Sequence, residues 1–427
     1  MNFLIIIFGK IFSSLVRLLN LGNGSTWPGH IALSLNKDFI GQTLRKSKVK
    51  TVLIIGTNGK TTTSKLIRTI LKKDNLKSVY NMSGANLLNG MASSIIISSK
   101  WDGKLKKDFA LFEVDENAFP LFVDSIKPDF VIVLNLFRDQ LDRYGEIDTI
   151  SSNWKKALEK LDNTTLILNA DDPQVAYLAQ SLKKNVLFFG LEDKSLSSSS
   201  LQHGADSILC PKCQNKLSFE CFYFSHLGKW QCDKCGLKRP KPNLSKLDFY
   251  PPLEGTYSLY DILAAVLFAK QIKVNDKTIK NALREFKPAF GRQETVSFME
   301  KDIQIFLSKN PISFNESLST VRKLGGKNIL IVLNDQIPDG LDVSWIWDID
   351  FENILTKNMN IMVSGQRAYD MALRLKYAEV YAHITDNVRN AIDKMIENLD
   401  KNEKLYVLPN YSAMLETREI LTGKKIL

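Results

Sequence analysis

Short apolar runs bounded by turn residues recur along the chain and alternate with stretches of helical period. The runs at residues 51–55, 109–113, 130–136, 165–169 and 186–189 are nearly unbroken rather than alternating. That pattern fits strands covered on both faces, and helical stretches such as 64–71 lie between them. An α/β fold with a parallel sheet follows. Helical periodicity resumes at 257–272 and 276–286, and a second α/β series begins at 303. Its strands are expected at 303–307, 329–333, 361–363 and 405–407, and its helices at 316–324, 367–376 and 388–399. The expected organisation is an N-terminal segment (1–46), a central domain (47–296) with an insertion at about 201–243, and a Rossmann-like C-terminal domain (297–427).

The N-terminal segment follows a different pattern. Residues 3–8 are apolar, Gly9 and Lys10 interrupt, and Ile11, Phe12, Leu15, Val16, Leu18 and Leu19 follow. No run is long enough to span a bilayer. No basic residue precedes the apolar stretch and no small-residue cleavage site follows it, so a signal peptide is not expected. Two readings remain: an amphipathic helix docked on the protein, or one resting on a membrane surface. Gly22, Gly24, Ser25 and Pro28 make a turn-rich link to the next segment. Residues 195–200 read as a flexible Ser/Leu linker, and Pro240, Pro242, Pro251 and Pro252 close the insertion.

Composition narrows the class only slightly. A chain of 427 residues with 44% hydrophobic and 24% charged residues is ordinary for a soluble protein of two or three domains. The net charge of +11 favours an anionic partner such as a nucleotide, nucleic acid or acidic lipid surface, although the lysines are scattered. All five cysteines fall between Cys210 and Cys235, which suits a reducing, cytoplasmic compartment better than a disulfide framework.

The chemistry starts at residues 51–63, TVLIIGTNGKTTT. A buried strand runs into a glycine turn that opens a helix, so backbone N–H groups and the helix dipole converge on one anion site. Lys60 would reach terminal phosphates, and the Thr61 hydroxyl would sit on Mg²⁺. The spacing is not that of the standard P-loop: only Thr57 and Asn58 separate Gly56 from Gly59. Glu113 ends an apolar strand, where a parallel sheet places its ligands, and is the expected second Mg²⁺ ligand; the alternative is a solvated acidic turn. Cys210-x-x-Cys213 and Cys232-x-x-Cys235 have the spacing of a structural four-cysteine zinc site. Cys221 is a spare, and His226 a weak further ligand.

Taken together, Gly56-Thr-Asn-Gly-Lys-Thr-Thr62, Glu113, Asn135…Arg138-Asp139-Gln-Leu-Asp142, Asn169-Ala-Asp-Asp-Pro173 and Gly291-Arg-Gln-Glu294 resemble the Mur ligase superfamily. The resemblance implies ATP-dependent activation of a cell-wall precursor carboxylate as an acyl phosphate, followed by attack of an amine. It implies ATP contacts from Gly56, Thr57, Asn58, Gly59, Lys60, Thr61, Thr62, Asp261 and Arg292, with Asp261 at a position where the family has Asn. Substrate contacts are implied for Asn86, Arg138 and Asp139. The cysteine insertion, residues 83–87 and the stretch Asp342-Val-Ser-Trp-Ile-Trp-Asp348 narrow the resemblance to the ligase-like subunits of lipid II isoglutaminyl synthases.

The departures from the amino-acid-adding members point the same way. Asp139-Gln140-Leu141-Asp142 lacks the usual His, and Leu307-Ser-Lys-Asn-Pro311 and Asn334-Asp335 replace the usual C-terminal motifs. Ammonia as the amine requires a source, and a cysteine glutaminase needs a Cys–His pair that this chain does not offer outside its zinc segment. The resemblance implies a GatD-type glutamine amidotransferase partner, whose Cys–His pair is completed by an Asp of this chain, Asp348 or alternatively Asp342. Trp345 and Trp347 beside them are either interface anchors or core aromatics. The resulting expectation is amidation of the D-glutamate α-carboxylate of lipid II at the inner membrane face. Its rivals are a stand-alone amino-acid ligase and a zinc-ribbon nucleic-acid-binding ATPase. No aromatic–basic RNA motif is present, so no nucleic-acid partner is expected.

Overall fold

The structure is a computed structural model and describes residues 2–18, 26–81, 85–138, 147–180, 182, 185–199, 201, 205–356, 358–400 and 402–424. The first α/β unit is a six-stranded parallel sheet. In chain order its strands are β1 (Lys50–Ile55), β2 (Ser78–Tyr80), β3 (Phe109–Glu113), β4 (Phe130–Val133), β5 (Thr165–Asn169) and β6 (Val186–Phe189). Their spatial order is β2-β3-β1-β4-β5-β6. β1 therefore lies at the centre, between β3 and β4, and its C-terminal end opens where the order reverses.

Alternate residues of β1 serve two cores, as strand geometry requires. Val52 and Ile54 face Leu66, Ile67 and Ile70 of the helix Lys60–Lys73 and the nearly all-apolar helix Thr256–Gln271. Leu53 and Ile55 face the other layer, built by Leu88–Ser98, Phe119–Ser125 and Ile147–Glu159. The N-terminal helices α1 (Asn2–Leu18), α2 (Trp27–Leu35) and α3 (Phe39–Ser47) join that same core through Ile5, Ile6, Ala32, Phe39, Ile40 and Leu44. Helix α1 is thus docked by one face. Among the described residues, no helix is long and apolar enough to cross a membrane.

The second unit is an open sheet of order β13-β12-β11-β14-β10-β9, with β9 (Arg292–Phe298), β10 (Lys301–Phe306), β11 (Asn328–Val332), β12 (Asn360–Ser364), β13 (His383–Ile384) and β14 (Lys404–Pro409). All pairings are parallel except β9 with β10. Between the two units, β7 (Ser218–Phe224) and β8 (Leu227–Gln231) form the antiparallel hairpin of the insertion.

Two expectations need correction. The run 130–136 is a strand only to Val133; beyond it the backbone leaves the ladder to serve the phosphate turn, with Thr57 N donating to Asn135 O at 3.2 Å. Of the expected linker 195–200, residue 200 lies outside the described residues and the rest is not free: Ser198 exchanges two backbone hydrogen bonds with Phe222 of the hairpin, at 2.7 and 2.9 Å. The edge strands β2, β9 and β13 and the last helix, Tyr411–Thr422, gave no clear apolar run. Edge strands are half-solvated, and their residues alternate or are polar.

Candidate active site

The turn after β1 is built from two glycines that no other residue could replace. Gly56 has φ +137°, and a Cβ there would lie 3.0 Å from the Asn135 backbone. Gly59 has φ +90°, and its Cβ would fall 2.0 Å from Asp261 Oδ1. Between them the loop is pinned to the end of β4. Asn58 N donates to Asn135 Oδ1 at 2.9 Å, Asn135 Nδ2 returns a bond to Asn58 O at 3.1 Å, and Phe137 N donates to Thr57 Oγ1 at 3.0 Å. Leu136 N donates to Asp172, which also caps the helix Pro173–Leu178. This fixes an array of N–H groups at the N-terminus of the helix Lys60–Lys73, a cradle that suits polyphosphate.

Lys60 Nζ donates to Gly56 O at 2.5 Å and pairs with Glu116 at 2.6 Å. No sequence motif marked Glu116; only folding shows that it holds the loop lysine. Thr61 Oγ1 donates to Glu113 Oε2 at 2.6 Å, the pair expected to share a metal. Burial pushes the Glu113 carboxyl upward, while Thr61, Arg292, Lys60 and Arg68 pull the other way. Asn81 fastens Glu113 by both backbone groups, accepting from its N–H and donating to its C=O at 2.9 Å each. No motif pointed to Asn81. An oxygen donor set of hydroxyl and carboxylate beside a phosphate cradle fits Mg²⁺.

A cleft of about 660 Å³, counting its open mouth, lies over this loop. Asn58 and Asp261 line it from the first unit, and Arg292, Ser313, Glu316 and Ser317 from the second. Asn310 Nδ2 reaches Asn58 Oδ1 at 3.3 Å, so the second unit touches the phosphate loop directly. Asp261 lies beneath Gly59, and burial holds its carboxyl well above the usual range. Its Oδ2 has no hydrogen-bond partner among the described residues. Gln293 ties β9 to the Thr256–Gln271 helix through Tyr257 and Ser258.

The remaining expected residues divide. Asn86 sits at the end of β3, where its carbonyl accepts from Asp115 N at 3.1 Å. Asp139, Asp142 and residues 83–84 lie outside the described residues. Arg138 clamps Asp206 of the insertion, with its backbone N–H on the same carboxylate at 2.9 Å. Its guanidinium also lies 3.9 Å from Asp348 of the second unit. Folding therefore brings an expected substrate residue and an expected partner-facing residue side by side. Asp342 instead accepts from Ser344 N at 2.8 Å and starts the turn Ser344–Asp348; that bond holds its carboxyl below the usual range. The two tryptophans divide between the readings: Trp345 packs on Phe314, whereas Trp347 is 46% exposed and stands edge-on to Tyr377.

In the insertion, Cys210, Cys213, Cys232 and Cys235 bring their Sγ atoms within 4.8 Å of one another. The closest pairs, Cys210–Cys235 and Cys213–Cys232, are 3.6 and 3.5 Å apart. A tetrahedron with bonds of about 2.3 Å has edges of roughly 3.8 Å, so the set fits zinc. Each knuckle repeats one turn: Gln214 N donates to Cys210 O and Gly236 N to Cys232 O, with positive φ at both donors. Cys221 is outside this set, and so is His226, which is buried against Phe137. The hairpin is riveted to the sheet by Trp230 Nε1 on Ala170 O at 3.1 Å and by Arg239 on buried Asp171 at 2.6 Å. Burial pushes the Asp171 carboxyl up to about 6 against the pull of Arg239.

Residues 54–224 match the Mur ligase middle domain family, and residues 307–414 match the MurT ligase C-terminal family. The chain is 33% identical to the lipid II isoglutaminyl synthase (glutamine-hydrolyzing) subunit MurT of Streptococcus pneumoniae, over 97% of this chain and 96% of that protein. Among solved structures, a pseudomurein peptide ligase type C from Methanothermus fervidus superposes with TM-score 0.65 at 23% identity, covering 88% of this chain and 79% of that one. MurF ligase from Thermotoga maritima in complex with ADP gives TM-score 0.62 at 14% identity, covering 90% and 82%. The fold is that of the Mur ligases, and with both units matched and near-complete coverage at this identity, the chain belongs to the MurT family.

Proposed function

We propose that this chain is the synthase subunit of a glutamine-dependent amidating enzyme acting on the D-glutamate α-carboxylate of lipid II. The observation that carries the reading is the single cleft in which a phosphate loop meets a MurT-type second unit, with Asn310 on Asn58. ATP lies with its phosphates on Gly56–Thr62 and its base toward Asp261 and Arg292. Thr61 and Glu113 would hold Mg²⁺, which would offset phosphate charge. Lys60 leaves Glu116 for the terminal phosphates, so the same pair that positions it in the free protein is exchanged when nucleotide binds. Transfer to the substrate carboxylate gives an acyl phosphate; ammonia displaces phosphate and leaves the primary amide. The cleft between the two units must exclude water for the intermediate to survive.

The ammonia comes from a GatD-type partner. Four of the five cysteines are gathered in one metal-type cluster, and Cys221 sits in the hairpin, so none is placed as a glutaminase nucleophile. Asp348, facing Arg138 and beside exposed Trp347, completes the partner's Cys–His pair by orienting the imidazole. The four-cysteine insertion is a structural zinc ribbon, and the C-terminal unit, residues 297–427, is a Rossmann-like partner-binding domain. The complex works in the cytoplasm at the inner face of the membrane.

The test is lipid II amidation with glutamine or with ammonium, with and without the partner. Glutamine is expected to support the reaction only in the complex, and Lys60→Ala should abolish it with either donor. Amidation that persists in Lys60→Ala refutes the assignment. Addition of an amino acid by the isolated chain would identify it instead as a stand-alone ligase.

A further inference from the structure

Helix α1 carries two apolar faces, and the protein covers only one. Ile5, Ile6, Gly9 and Ser13 point inward; Ile5 and Ile6 belong to the core that covers the sheet. Around the helix, Leu4, Phe8, Ile11, Phe12 and Leu15 form a second stripe that is exposed, Phe8 by 68%. Between Leu4 and Leu15 the only charged residue is Lys10. Helix α2 continues the surface. Its Trp27, Ile31 and Leu35 recur at every fourth position and are also exposed, and a groove lined by Phe8, Phe12, Ile31 and Leu35 joins the two stripes. An amphipathic helix needs one apolar face to dock; a second, continuous with a neighbour's, needs another occupant.

The rim indicates which occupant. The turn after Leu88–Ser98 lies against the start of α1, since a methyl group on Gly103 would sit 3.3 Å from Phe3. This turn exposes Trp101 by 61%, and Lys10 Nζ stands 5.2 Å from the Trp101 ring centroid. Residues 100–107 carry four lysines, Lys100, Lys104, Lys106 and Lys107, against the single acid Asp102. An uncharged apolar surface edged by tryptophan and lysine matches the layering of a bilayer interface: acyl chains, then the aromatic belt, then anionic headgroups. A protein partner would leave the apolar stripes without polar groups to set its orientation, whereas a lipid surface needs none.

We infer that the outer faces of α1 and α2, with the Trp101 turn, form a docking surface for an anionic lipid bilayer. The two readings of the N-terminal segment are thereby both used, one on each face of α1. The surface stands apart from the proposed reaction, because vesicle binding is read without ATP, lipid II or partner. The test uses the full chain in vesicle flotation, comparing phosphatidylcholine alone with phosphatidylcholine containing phosphatidylglycerol. The wild type is expected to float with the anionic vesicles. Phe8→Asp with Leu15→Asp should lower the bound fraction about tenfold or more, and so should Lys100→Glu with Lys104→Glu and Lys106→Glu. Both sets replace exposed side chains, so thermal unfolding and ATP binding should stay at wild-type values. Failure of the wild type to bind anionic vesicles overturns the inference. So does equal binding by the Phe8→Asp/Leu15→Asp variant, or binding indifferent to lipid charge. If the wild type ignores vesicles but dimerises, and the same variant is monomeric, a second copy is the occupant and the lipid assignment falls.

Discussion

Replacing Gly59 by alanine tests whether the phosphate loop is shaped as described. Gly59 has φ +90°, beyond the left-handed well that L-residues tolerate, and entering that region costs about 1–2 kcal/mol. The new Cβ would also fall 2.0 Å from Asp261 Oδ1, so one of them must move by about 1.4 Å to reach ordinary contact at 3.4 Å. Overpacking of a buried site typically adds about 1–3 kcal/mol. The two contributions together predict a loss of about 2–5 kcal/mol, and a displaced loop should weaken ATP binding at least about tenfold. The contributions separate in a double-mutant cycle. In an Asp261→Ala background the clash is gone and only the backbone part remains, so Gly59→Ala should then cost about 1–2 kcal/mol. Denaturant unfolding and calorimetric ATP titration of the four proteins provide the measurement. Equal costs in both backgrounds would show that Asp261 does not lie under the loop, and a stable, ATP-binding Gly59→Ala protein would refute the geometry altogether.

Further outcomes follow from other parts of the site. Because burial raises the Glu113 carboxyl and Mg²⁺ needs it ionised, affinity for Mg·ATP should fall as pH is lowered, starting above the ordinary glutamate range; Glu113→Gln should bind weakly at every pH. The sign for stability is the reverse: a raised folded-state pKa contributes stability at low pH that is lost as pH rises through it. Without ligand, Glu113→Gln should therefore unfold no earlier than wild type at pH 8, and earlier unfolding would count against that sign. Cys232→Ser with Cys235→Ser should lower the zinc content read by elemental analysis relative to wild type; equal metal content in the variant would sink the site. Since Asp206 of the insertion clamps Arg138, amidation should also drop while ATP affinity holds. In the complex, Asp348→Asn should remove glutaminase activity yet leave ammonium-driven amidation; if neither it nor Asp342→Asn affects glutamine hydrolysis, the shared-triad assignment fails.

Sequence alone determined the parts whose physics is local. Continuous apolar runs marked the buried strands β1, β3 and β5, because a strand covered on both faces has no polar side to interrupt it; the run of β6 marked an edge strand that is only partly buried. The glycine spacing marked the turn that opens the helix Lys60–Lys73, and the paired Cys-x-x-Cys knuckles marked the four-thiol cluster, because each turn and each knuckle is complete within a few residues. Only the tertiary structure showed that Glu116 holds Lys60, that Asn81 fastens Glu113, and that Asp261 fills the space a side chain at Gly59 would need. These partners are decided by strand order: β1 lies between β3 and β4, a neighbourhood that chain separation does not encode. The meeting of Arg138 with Asp348 has the same origin, since it joins two units across a cleft. Helix α1 shows the limit most plainly. Its sequence displays apolar residues all round, but which of them the protein buries and which it leaves to another surface depends on where the sheet's core ends.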